Sequence, residues 1–232
     1  LREFCETEIM PHVDQWEADH IVPKAIWQKM GSGGFLCPTL TGEYGAIGGD
    51  FIHSLIVCEE LSRTLQTGLA AGLHSDVVVP YIESFGSDEQ KRKYLPGCVS
   101  GDIVTAVAMT EPAAGSDVAG METTAVEDGD EVVINGSKTF ISNGVICDLV
   151  VLAAKDPAVE NKHQAVSLYL VEDGTPGFKK GTQLEKMGWH SQDTAELFFT
   201  NCRIPKSNRL GDKGSGFFML MGKLQQERLV CS

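Results

Sequence analysis

The hydrophobic period of this chain changes twice, and those changes restrict its fold more than any other feature. Up to Ser100 the apolar residues recur at helical spacing: Phe4, Ile9, Val13 and Trp16, then Ile26, Trp27 and Met30 before Gly31-Ser32-Gly33-Gly34. A loop rich in Gly and Pro follows, and Phe51, Leu55, Ile56, Glu59, Glu60 and Leu61 predict an amphipathic helix with Glu59 and Glu60 on its solvated face. The apolar run Leu69 to Ile82 carries His74, Asp76 and Pro80 and reads as a buried helix. Ser87 and Gln90 form a capping-box pattern that opens another helix.

From Ile103 the pattern becomes that of strands. Ile103 to Met109, Leu149 to Ala154, Ala165 to Val171 and Glu196 to Thr200 are strand candidates, with turns at Asp173-Gly174 and Pro176-Gly177. Asn135-Gly136 sits between two apolar runs in Val132 to Ile141 and predicts a hairpin there. Beyond Gly214-Ser215-Gly216 the helical period returns through Phe217, Leu220, Met221, Leu224 and Arg228. The expected architecture is α+β and multidomain. An N-terminal α-helical domain spans 1–102, a middle β domain (a small antiparallel barrel or sandwich) spans 103–212, and 213–232 open a further, truncated helical domain. Leu1 and Ser232 both read as cuts within a longer pattern.

Composition removes several function classes. A formal net charge of -13 disfavours nucleic acid and anionic membrane surfaces as partners. The seven cysteines show no CxxC pair and no zinc-ligand spacing, so no metal is expected. Their scatter suits reduced, mostly buried thiols in an intracellular protein. Neither a signal peptide nor a membrane-spanning apolar run is evident.

Two segments carry chemistry. Met109-Thr110-Glu111-Pro112-Ala113-Ala114-Gly115-Ser116-Asp117 leaves a strand and presents small residues, a hydroxyl and a carboxylate. Such a loop lets backbone N–H groups approach an anion or a flat heterocycle, or it is simply a turn capped by Ser and Asp. Lys138-Thr139-Phe140-Ile141-Ser142-Asn143-Gly144 ends a strand with an aromatic and small polar residues. Phe140 is placed there either to stack on a ring or to fill a core.

The stretch TEPAAGSD followed by INGSKTFISNG closely resembles the middle-domain signature of the acyl-CoA dehydrogenase family. EYGAIGGD, FGSDEQKRKYLP, MGWHSQDTAELFFTNCRIP and LQQERL extend the resemblance, in order, over essentially the whole chain, closest to the long-chain branch. The resemblance implies a middle antiparallel β-barrel domain, a C-terminal helical bundle of which 213–232 are the truncated start, and FAD, with Val107, Met109, Thr110, Gly115, Ser116, Phe140, Ile141 and Ser142 around it. The family commonly has Gly at the position of Ala113. Glu111 is expected to be a structural part of the flavin loop.

It also implies oxidation of a saturated, long-chain acyl-CoA to a trans-2-enoyl-CoA. Glu227 would be the base, and Ser116, His163, Gln164, Phe218, Gln225, Gln226 and Arg228 would meet the thioester and CoA. The acyl tail would lie along Gly68 to Ile82. Electron-transferring flavoprotein as acceptor, a homotetramer, and bacterial cytoplasm or mitochondrial matrix as compartment are implied by the same resemblance. Flavin acyl-CoA oxidases, flavin monooxygenases and a non-catalytic module share the fold and stand as alternatives.

Overall fold

Local hydrogen bonding explains where the helices begin and bend in the computed structural model, which describes residues 1–66 and 68–230. The first helical stretch runs through α1 (Arg2–Phe4), a π-turn (Cys5–Ile9), a 3-10 turn (Met10–His12) and α2 (Val13–Asp19). Pro11 lies at the irregularity, where a missing N–H breaks the regular ladder. Next comes α3 (Lys24–Ser32), then α4 (Phe51–Arg63), capped by Asp50, whose carboxylate accepts the Ile52 N–H at 3.1 Å. A π-turn (Leu73–Val78) runs into α5 (Val79–Phe85), with Pro80 in the first turn of the latter. From His74 to Ile82 this stretch is buried, as its apolar run predicts.

The expected capping box opens α6 (Asp88–Ser100). Ser87 Oγ accepts the Gln90 N–H at 3.2 Å, and Gln90 Oε1 accepts the Ser87 N–H at 2.9 Å. Gln90 also donates to the carbonyls of Ser207 and Arg209 at 2.8 and 3.0 Å, so one cap residue ties the helices to the sheet.

The strands are β1 (Thr105–Ala108), β2 (Thr124–Asp128), β3 (Glu131–Ser142), β4 (Leu149–Lys155), β5 (Val166–Glu172), β6 (Phe178–Gln183), β7 (Thr194–Pro205) and β8 (Arg209–Leu210). They form one sheet in the order β6-β7-β3-β2-β4-β5-β8, with β1 parallel to β4 off that path. Pairing is otherwise antiparallel apart from a single parallel β2–β4 pair. Side chains from β1 to β7 share one apolar core, so the sheet wraps around its own interior. A short α7 (Lys162–Ala165) precedes β5, and α8 (Gly216–Val230) closes the described chain.

β4 shows why its sequence is continuously apolar. Val150, Leu152 and Ala154 point into the sheet's own core, whereas Leu149, Val151 and Ala153 join the helical core. Both faces are covered, so alternation is lost.

Two sequence expectations are corrected. Asn135-Gly136 is not a hairpin turn but a bulge within β3, where the register against β7 shifts between Ile134 and Gly136. The β2–β3 hairpin turns instead at Gly129, where φ is 61°. The orientation of α4 also differs. Ile52, Leu55 and Ile56 are exposed, while Ser54, Glu60 and Leu61 are buried. Glu60, 8% exposed, pairs with Arg2 rather than facing solvent, and Ser54 donates to Asp76 at 2.6 Å. Specific polar partners thus decide which face packs inward. Of the cysteines described, Cys58 is exposed and the other five are buried and free; Cys231 lies outside the described residues.

Gly136 has φ 148°, and a Cβ there would lie 2.5 Å from Thr123 Oγ1 and 2.7 Å from its Cα. Gly136→Ala is expected to destabilise the fold by about 2 kcal/mol or more, read as a lower urea midpoint.

Candidate functional site

The loop after β1 is shaped from beneath. The Glu111 N–H donates to the Ala114 carbonyl at 2.8 Å and the Ala114 N–H returns to Glu111 at 3.1 Å, making a tight turn. Pro112, Ala113, Gly115 and Ser116 are left exposed at its tip. Ala113 is not among the residues with positive φ, so alanine carries no backbone penalty there.

Glu111 itself is buried. Lys138 Nζ donates to its carboxylate at 2.7 Å and to the Met109 carbonyl at 3.1 Å. The same carboxylate accepts the N–H groups of Glu122 and Thr123. Burial pushes the Glu111 carboxyl up, but Lys138, Thr123 and Glu122 outweigh it and hold the group below its ordinary value. Burial also draws Lys138 down to about 8, against the pull of Glu111. One enclosed ion pair therefore clamps both ends of the loop, in agreement with the structural role expected for Glu111.

The second segment is sewn to this loop by the Thr139 N–H, which donates to the Thr110 carbonyl at 2.9 Å. Phe140 then departs from strand geometry with φ 58°, inside a bulge where the β3–β7 register shifts between Lys138 and Ile141. The residue is 69% exposed. A bulky residue held left-handed costs on the order of 1 kcal/mol and persists only where the surroundings enforce it. Of the two readings of Phe140, core filler is thereby excluded.

Ile141 is different. Its side chain is buried in the sheet core, so only its backbone is free to meet a cofactor. Ser142, half-buried, lies next to Asn143, which donates to the Thr105 carbonyl at 3.0 Å and accepts from Gln192 at 3.1 Å. Val107, Met109 and Thr110 are partly exposed along the neighbouring strand end. An exposed aromatic face, a nearby hydroxyl and a rigid loop of small residues form a donor set that fits a flat ring carrying phosphates.

The carboxylate of Glu227 is not at the surface. It is 9% exposed and accepts a hydrogen bond from Tyr81 Oη at 2.5 Å. Burial raises its pKa above the ordinary 4.5, opposed by Tyr81, Arg228 and Lys223. Arg228 is exposed on the same helix.

The remaining candidates fall into two groups. Gln164 and Phe218 line a cavity of about 510 Å³ at the start of α8, and the His163 ring packs against Phe217 at 4.4 Å. The Val118–Gly120 turn, just after Ser116, packs on α7 beside them. Gln225 and Gln226 line a second cavity of about 530 Å³ with Thr39, Phe51 and Glu83. Gln226 is also engaged, donating to the Asp76 carbonyl at 3.2 Å.

Sequence reasoning missed Lys138 and Tyr81 as supporting residues. Lys138 stood in a quoted segment, but nothing local signalled its burial. No pattern in the sequence links position 81 to position 227.

The profiles of the acyl-CoA dehydrogenase N-terminal domain and middle domain match residues 1–102 and 106–202. The chain belongs to the acyl-CoA dehydrogenase family. It is 43% identical over 231 residues to the mitochondrial long-chain specific acyl-CoA dehydrogenase of Sus scrofa, covering 99% of this chain and 54% of that protein. An acyl-CoA dehydrogenase from Geobacillus kaustophilus has the same fold, with a TM-score of 0.97, 52% identity, and coverage of 99% of this chain and 60% of that one. A glutaryl-CoA dehydrogenase from Mycobacterium smegmatis in complex with FADH2 aligns with a TM-score of 0.89 at 29% identity, covering 99% and 57%. The chain thus spans little more than half the length of these acyl-CoA dehydrogenases.

Among the described residues no cluster of His, Cys, Asp and Glu is arranged to hold a metal, and no helix is long and apolar enough to cross a membrane.

Lys138→Met leaves Glu111 buried without its cation, and should cost about 3 kcal/mol of stability and loosen the 110–123 loop. Thermal melting checks the first effect and proteolysis of the loop the second. Because the folded Glu111 pKa is depressed, its contribution is present above pH 4.5 and is lost as pH falls below that value. The gap in melting midpoint between wild type and Lys138→Met should therefore shrink on acidification.

Proposed function

We propose that the protein containing this chain is an FAD-dependent acyl-CoA dehydrogenase that converts a saturated, long-chain acyl-CoA to its trans-2-enoyl-CoA. The single observation that carries this reading is Glu227, a carboxylate enclosed within the fold with its pKa raised by burial, on the helix after the flavin-like loop. A buried carboxylate of raised basicity suits abstraction of a proton from the carbon α to a thioester.

The residues divide the work as follows. The loop Thr110–Ser116 would hold the cofactor's phosphates through backbone N–H groups and the Ser116 hydroxyl. Phe140, Val107, Met109 and the Ile141 backbone would hold its ring system, and Ser142 would donate to it. When bound, FAD supplies the acceptor for the hydride that leaves the β carbon. Ser116, His163, Gln164 and Phe218 contact the CoA portion at one end of α8, and Gln225, Gln226 and Arg228 lie toward the thioester. Arg228 keeps a permanent positive charge on the base's own helix. The acyl tail runs beside the helix that carries Tyr81.

The similarity to the long-chain enzyme of Sus scrofa supports the chain-length assignment. Electron-transferring flavoprotein is the proposed acceptor, a homotetramer the proposed assembly, and bacterial cytoplasm or mitochondrial matrix the proposed compartment. A structural relative, the electron transferring flavoprotein of Acidaminococcus fermentans, is 37% identical with a TM-score of 0.92 and supports that acceptor.

The test uses the full-length protein loaded with FAD. A long saturated acyl-CoA added without oxygen should bleach the flavin absorbance promptly. Glu227→Gln should bind FAD and ligand yet bleach at least about a thousandfold more slowly. Bleaching retained in Glu227→Gln would move the base elsewhere. Fast reoxidation in air of the product-bound flavin would mark an oxidase instead.

A further inference from the structure

Glu227 is the only carboxylate of α8, and it faces inward among groups that belong to two other parts of the chain. On α8 itself Met219 and Leu220 share its buried stripe. Across from them, α5 presents Tyr81, whose residue is wholly buried. The Tyr81 ring packs beside Phe85 at 6.3 Å between centroids, so both the helix and its neighbour restrict the phenol. From that position the Tyr81 hydroxyl reaches one oxygen of Glu227.

Other bonds keep the two helices in register around this pair. Lys223 donates to Ser84 Oγ at 2.7 Å on one side, and Gln226 donates to the Asp76 carbonyl at 3.2 Å on the other. Val230 approaches Gly72, where an added Cβ would lie 3.5 Å from Val230 Cγ1. The contact between Tyr81 and Glu227 is therefore a built feature of the α5–α8 packing.

We propose that Tyr81 is a positioning residue for the base: its hydroxyl donates to Glu227 Oε1, fixes the carboxylate's rotation, and leaves Oε2 as the oxygen that receives the substrate's α proton. The inference rests on the reading of Glu227 as that base. A phenol bound to the ionised carboxylate favours the anion. It opposes burial, so the two together set where the base titrates. The titratable groups around Glu227 are Arg228 and Lys223 on α8, Tyr81 and Glu83 on α5, and Asp76 on the preceding turn. Asp76 is itself buried and already accepts from Ser54, so it is engaged elsewhere.

The experiment measures flavin bleaching by a saturating long acyl-CoA against pH, anaerobically, in the full-length FAD-loaded protein and in Tyr81→Phe. Losing one hydrogen bond to a charged acceptor is worth about one pH unit. The acid limb should move up by about that much, slowing bleaching about tenfold more below the limb than on the high-pH plateau. A uniform loss at every pH, or an unmoved limb, overturns the proposal. If Tyr81→Phe does not fold, a ring-fluorinated tyrosine placed at position 81 is a stronger donor and should move the limb down; no movement overturns the proposal.

Melting midpoints give a readout independent of turnover. The folded Glu227 pKa lies above its ordinary value, so its contribution to stability falls as pH rises through its titration. The advantage of wild type over Tyr81→Phe should open across that rise and stay flat when both carry Glu227→Gln. A gap constant with pH in the Glu227 background overturns the proposal. Bleaching retained in Glu227→Gln, together with a gap that opens, would defeat the assignment of the base while leaving the Tyr81–Glu227 coupling standing.

Discussion

Strand β4 is buried on both sides, and the rest of the structure depends on that constraint. Leu149 to Ala154 give every side chain to one of two cores, so a sheet must close over one face and helices must cover the other. The helical half cannot be displaced without exposing Leu149, Val151 and Ala153. Nor can the sheet open without exposing Val150, Leu152 and Ala154. The proposed flavin loop leaves β1, which pairs in parallel with β4. The loop is thus anchored to the best-protected strand.

Around this frame several buried carboxylates are committed to specific partners. Lys138 and Glu111 are sealed in the protein and hold the loop from within. Asp193 accepts the N–H groups of Val145 and Ile146 at 2.7 and 3.0 Å, and Glu17 reaches the backbone of His190 and Ser191. Each of these carboxylates fixes backbone that has no regular ladder of its own. The exposed Phe140 is the complement of that rigidity. Its left-handed backbone is affordable only because the residues on both sides are pinned.

Much of this was legible in residue order. The switch from helical to strand period near Ile103, the Ser87 cap and the buried run up to Ile82 follow from spacing and side-chain type alone. The loop and strand-end segments stood out because small residues, a hydroxyl and an aromatic occur together in an otherwise regular pattern. Asn135-Gly136 misled because a hairpin and a bulge both favour residues tolerant of unusual φ. The distinction depends on the partner strand, β7, which lies far away in sequence. Glu60 misled for a related reason, since its partner Arg2 is distant in sequence.

By itself the sequence determined the alternation of helical and strand segments, the family, and the residue types available for chemistry. Those properties arise from short-range spacing and local backbone preference. Tertiary structure alone decided that α4 buries Ser54 and Glu60 beside Leu61, that Lys138 clamps the loop, and that Tyr81 meets Glu227. Each depends on a contact between distant positions, and its free energy depends on burial that no single segment possesses before the chain is packed.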